Sequence, residues 1–164
     1  MKIRDDVIAV LGPKGDDDDI QAITETINSG WWVNGPKVEE FENKFKEMVG
    51  SKYAIGVTSN TSGLDMIFKA YDINDGDDVI SPTNSFATTY AVPLWNKCSS
   101  RLADIDPINL NICPSDVKNM IKPNTKAIIV VNHAGVSAKN SILEIRKFFK
   151  GLIIEDCAHS CYVP

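Results

Sequence analysis

The sequence predicts an α/β chain with a mainly parallel sheet and helices on both faces, and three observations support this. Short apolar runs alternate with segments whose apolar residues recur at helical spacing, the pattern of successive βαβ units. The alternation continues to the last residue without a low-complexity segment, an obvious linker or an internal repeat. The run Ile153-Ile154-Glu155-Asp156-Cys157-Ala158-His159 reads as an apolar strand that delivers an acid and an imidazole just where the strand ends. In an open α/β sheet, that carboxyl edge is where ligands bind.

Bulk properties set the outer limits. The 164 residues suit one domain of ordinary size, and 43% hydrophobic with 24% charged residues describes a globular chain. Acids outnumber bases, 22 to 17, for a formal net charge of -5. That balance gives no basic footprint for nucleic acid. No apolar run approaches the roughly 18 residues of a membrane span, and the N-terminus lacks a signal-peptide pattern, so a cytoplasmic protein is expected. Of Cys98, Cys113, Cys157 and Cys161, only the last two are close, with His159 between them. A zinc site would need a second ligand pair, so reduced, mostly buried thiols are expected and no metal.

Taken in order, Gly12 to Gly15 is a turn signal, and Asp16 to Asp19 supply acids at the start of a helix carrying Ile20, Ile23 and Ile27. Ser29-Gly30 ends it. A loop with Trp31 and Trp32 follows, serving either packing or contact. Val38, Phe41, Phe45 and Met48 mark a second helix between Pro36 and Gly50. Residues 53–57 read as the first strand, and Leu64, Ile67, Phe68 and Tyr71 as the helix behind it. Strands are then expected at 78–81, 101–104, 126–131 and 152–155. Helices are expected at 86–95, after Pro114 and at 141–149.

The chemistry concentrates at the strand ends. Thr58 to Gly63 joins a strand to a helix with small hydroxyl and amide residues, and a helix N-terminus offers free N–H groups to a phosphate. By itself this segment reads as an ordinary N-cap, since it has neither P-loop nor dinucleotide-fingerprint spacing. Phe86 opens the next helix, where a ring can stack or pack. His133 follows the fourth strand, and Asp156 ends the last one. Phosphate donors, a flat aromatic and an aspartate on one sheet edge suit a planar phosphorylated ring with a basic nitrogen, as in pyridoxal phosphate.

Several segments carry a family resemblance. Gly30-Trp31-Trp32-Val33-Asn34-Gly35-Pro36 resembles the opening signature of the DegT/DnrJ/EryC1/StrS family, and Ser59-Asn60-Thr61-Ser62-Gly63-Leu64 its phosphate loop. Gly76 to Pro82 resembles its second strand, Ser85-Phe86-Ala87-Thr88 its ring-stacking segment, and Asp104-Ile105-Asp106 its third-strand end. Ile154 to His159 is similar to its pyridine-nitrogen motif. The ordered set runs from about Gly30 to the last residue. It implies part of the large domain of the aspartate-aminotransferase (pyridoxal-phosphate type I) fold and a pyridoxal-phosphate-dependent sugar aminotransferase. Residue by residue, the resemblance puts Thr61 and Ser62 on the phosphate and Phe86 on the ring. It puts Asp156 on the pyridine nitrogen and His159 near the ring's 3-oxygen. Asn60 stands where a glycine is common, and asparagine also accepts left-handed backbone angles. Asn132 stands where many members have histidine.

The resemblance further implies a keto-sugar nucleotide substrate, an amino donor such as glutamate and a homodimer. It places the Schiff-base lysine and the small C-terminal domain beyond Pro164, so residues 1–164 are expected to be the N-terminal part of the large domain and inactive alone. The alternatives are an inactive remnant serving as an interaction module, a pyridoxamine-phosphate-dependent sugar dehydratase, and an unrelated nucleotide binder.

Overall fold

The computed structural model describes residues 14–160. Gly12, Pro13 and Cys161, with the N-terminal signal-peptide reading, lie outside them. The chain divides into two compact units, Met1–Gly56 and Val57–Pro164.

In the first unit, α1 spans Asp17–Ser29 and α2 spans Pro36–Val49. The acidic run caps α1. Asp16 Oδ1 accepts the N–H of Asp18 and Asp19, while Asp19 Oδ2 accepts the N–H of Asp16, a reciprocal capping box. Gly30 and Gly50 end the two helices in the left-handed conformation that glycine adopts without a Cβ clash. Between them the two tryptophans are exposed. Trp31 Nε1 donates to the Asn34 carbonyl and Trp32 Nε1 to the Ile27 carbonyl. The Trp31 ring lies on Gly35, where a Cβ would collide with it. A cavity of about 540 Å³ opens beside Glu25, Trp31, Trp32 and Lys37.

The second unit contains α3 (Asn60–Ala70), β1 (Asp78–Pro82), α4 (Thr88–Trp95), β2 (Ser99–Ala103) and α5 (Pro114–Met120). It continues with β3 (Thr125–Val131), α6 (Lys139–Arg146) and β4 (Leu152–Asp156). The sheet order is β2-β1-β3-β4, with every pair parallel. Successive side chains of β3 point to opposite faces. Ala127, Ile129 and Val131 pack with Leu64, Phe68 and Val92 of α3 and α4. Ile128 and Val130 pack with Val117 and Ile145 of α5 and α6, and with Phe149. Helices therefore cover both faces, as the alternating pattern predicts.

Three expectations need correction. Residues 53–57 pair with no strand among the described residues, and Tyr53, Ile55 and Val57 are exposed. An apolar run becomes a strand only when a neighbour supplies its ladder of hydrogen bonds, and no described segment does so. The helix expected from residue 86 starts at Thr88, leaving Phe86 in a loop, and the helix expected to reach residue 149 ends at Arg146.

Candidate cofactor site

The strand order reverses between β1 and β3: β2 lies on one side of β1, and β3 with β4 on the other. At such a switch point the loops leaving neighbouring strands diverge and open a crevice at the carboxyl edge. Phe86 leaves β1 here, Asn132 and His133 leave β3, and Asp156 closes β4.

Asp156 is only 5% exposed. Its Oδ1 accepts the N–H of Ala158 at 3.0 Å and Nδ2 of Asn60 at 2.9 Å. A buried carboxylate needs such donors, because leaving water unpaired is costly. Asn60 is the first residue of α3, so this bond ties the start of α3 to the end of β4. Asn60 is not among the residues with positive φ. Its side chain, not a left-handed backbone, is what matters at this position.

Thr61 and Ser62 occupy the first turn of α3. Ser59 caps the helix by accepting the N–H of Ser62, and the hydroxyls of Thr58 and Ser59 each lie 3.0 Å from the Ser62 hydroxyl. Thr61 Oγ1 reaches Thr88 Oγ1 at the start of α4, at 3.2 Å. The amides of Asn60 and Thr61 precede the first complete helical turn and have no intrahelical acceptor. Hydroxyls, early amides and the positive end of the helix together suit a phosphate.

His159 Nδ1 accepts the N–H of Ala134 at 3.2 Å, which leaves its ring proton on Nε2 as a donor. The turn that aims this amide holds Ala134 at φ 51 and Gly135 at φ 82. A left-handed alanine costs about 1–2 kcal/mol, so the bend is sustained by its surroundings. The His133 ring lies edge-on to that of His159, with centroids 5.8 Å apart, and its Nε2 is 3.3 Å from Asn84 Nδ2. Asn132 holds the loop itself, donating to Glu155 and to Cys157 Sγ and accepting from Ala138. Cys157 is exposed and Cys113 half-buried, so only Cys98 among the described thiols is buried as expected.

Bonds within the second unit thus link Asp156 to the phosphate-loop residue Asn60, and His159 to the turn after β3. Phe86 shares the carboxyl edge, but the residue is 74% exposed and joins neither buried cluster. The roles of Asn60 and Thr88 are not evident from sequence. Asn60 donates to Asp156 and Thr88 accepts from Thr61, each across a long stretch of sequence.

Residues 13–163 match the DegT/DnrJ/EryC1/StrS aminotransferase family. The chain belongs to that family. Relatives in it include the spore coat polysaccharide biosynthesis protein SpsC of Bacillus subtilis, 37% identical over 88% of this chain and 38% of its own length. A dTDP-3-amino-3,6-dideoxy-alpha-D-galactopyranose transaminase of Aneurinibacillus thermoaerophilus is 38% identical over 85% of this chain and 39% of its own. Among solved structures, a GDP-4-keto-6-deoxymannose-3-dehydratase with a trapped PLP-glutamate geminal diamine superposes with a TM-score of 0.84. It is 27% identical and covers 92% of this chain and 41% of its own. The DegT/DnrJ/EryC1/StrS chain described here therefore spans about two fifths of the length of such relatives, and its sheet is part of the type I fold.

Proposed function

We propose that this chain forms the N-terminal, cofactor-holding part of a pyridoxal-phosphate-dependent aminotransferase that acts on a keto-sugar nucleotide, with glutamate as a suitable amino donor. The observation that carries this reading is Asp156, a buried carboxylate at a strand end whose Oδ1 is held by two donors. When bound, the cofactor supplies an electron sink that depends on a protonated ring nitrogen. Asp156 would pair with that nitrogen, and Phe86 would lie against the ring. Thr61 and Ser62 would hold the phosphate, and His159 would donate near the ring's oxygen. The nucleophilic lysine would follow Pro164 in a longer gene product, cytoplasmic and dimeric, with the Trp31-Trp32 loop serving a neighbouring subunit.

Asp156→Asn tests the reading. It should weaken pyridoxal-phosphate binding at least about ten-fold, the order expected for losing a charged hydrogen bond, while inorganic phosphate binds as before. Unchanged cofactor affinity, measured by fluorescence titration of the native-length protein, would sink the assignment. The likeness to a sugar dehydratase favours a second reading, loss of a sugar hydroxyl. Mass spectrometry of the product separates the two outcomes, amino sugar or deoxy sugar.

A further inference from the structure

We propose that Asn60 is a positioning residue that fixes the Asp156 carboxylate for a ring nitrogen and couples it to the phosphate loop, an inference that rests on the cofactor reading above. The two donors to Asp156 Oδ1 differ in origin. Ala158 N–H lies two residues along the same loop, whereas Asn60 Nδ2 comes from 96 residues away, on another element. Both donors sit on Oδ1, and no hydrogen bond from the described residues reaches Oδ2. A carboxylate held through Oδ1 offers its other oxygen as a fixed acceptor for a ring N–H.

An amide suits this task because it donates without titrating near neutrality and so never competes for the proton. Asn132, the other amide near this strand end, is committed elsewhere, to Glu155, Cys157 and Ala138. Three consecutive residues thus address both ends of a phosphorylated ring: Thr61 and Ser62 the phosphate, and Asn60 the nitrogen end through Asp156. The span between the two ends is set before any ligand arrives, which spares the ordering that binding would otherwise require.

The informative variant is Asn60→Asp, nearly isosteric but an acceptor in place of the donor. If Asn60 were merely the first residue of a helix, aspartate would be welcome there, since acids favour helix N-termini. The native-length protein is titrated with pyridoxamine 5′-phosphate carrying 15N in its ring. This compound lacks an aldehyde, so no lysine enters the readout. The variant should bind it about ten-fold more weakly or worse. The bound 15N resonance should move toward that of unprotonated pyridine. Asn60→Ala adds no charge beside the phosphate loop; it should act in the same direction with affinity for inorganic phosphate unchanged, and it serves if Asn60→Asp fails to fold. A folded variant with wild-type affinity and a wild-type 15N resonance would overturn the proposal. So would an equal loss of phosphate binding in Asn60→Ala, which would assign Asn60 to the phosphate alone. Wild-type protein that binds phosphate but not pyridoxamine phosphate would remove the cofactor reading itself, and this inference with it.

Discussion

Asp78 shows how single residues hold the sheet. Its carboxylate is fully buried and receives Arg101 Nε and Nη2, each at 2.6 Å, and Thr125 Oγ1 at 2.7 Å. Burial alone would raise the Asp78 carboxyl, but the hydrogen bonds from Arg101 and Thr125 outweigh it and hold the group below the usual range. A carboxyl lowered in the folded state contributes its stability above the unfolded value. That contribution should fade as pH falls below about 4 and through the lower folded value. Arg101→Ala, which strands the buried charge, should cost about 3–5 kcal/mol in urea unfolding at neutral pH, with a smaller penalty in acid. A pH-independent penalty would refute the account. At this scale the sequence was only partly legible. Asp156 and the Ser59 cap follow from position along a strand or helix. The pairing of Asp78 with Arg101, like that of Asp156 with Asn60, depends on which strands and helices become neighbours, and no local pattern encodes that.

Elements were read more reliably than their partners. The helices from Asp17 and Pro36 begin and end at residues whose chemistry demands it: an aspartate cap, a proline in the first turn, glycines in the left-handed conformation. Residues 53–57 failed as a strand because apolar character does not supply a neighbour. The approach to β4 shows a tighter constraint. A Cβ on Gly151 would stand 2.9 Å from the Lys126 carbonyl and collide with the Phe149 ring. Gly151→Ala should therefore push β4 from β3 and cost about 1–3 kcal/mol, read as a lower midpoint of urea unfolding. A midpoint equal to wild type would show that the two strands have slack.

At the scale of the whole molecule, the fold class was legible because alternation of strands and helices admits few parallel topologies. The assembly was not, because it depends on surfaces beyond any one element. α1 leaves Ile20, Ile23 and Ile27 each more than half exposed, along one helical face. Such a stripe suits a covered position in a larger protein. The intact mass of the native gene product should then lie well above 18.0 kDa. A native product of 18.0 kDa would leave the lysine-bearing region without a place.

Asp78 and Thr125 open β1 and β3 and are joined there by Arg101 of β2, whereas Asn60 meets Asp156 where β4 ends. Robustness and novelty are thereby assigned to opposite ends of one sheet. Descendants of this sequence can accumulate changes around the crevice, altering what it accepts, while the clasp joining three strands stays intact. Specificity can drift in this architecture without dragging foldability along with it.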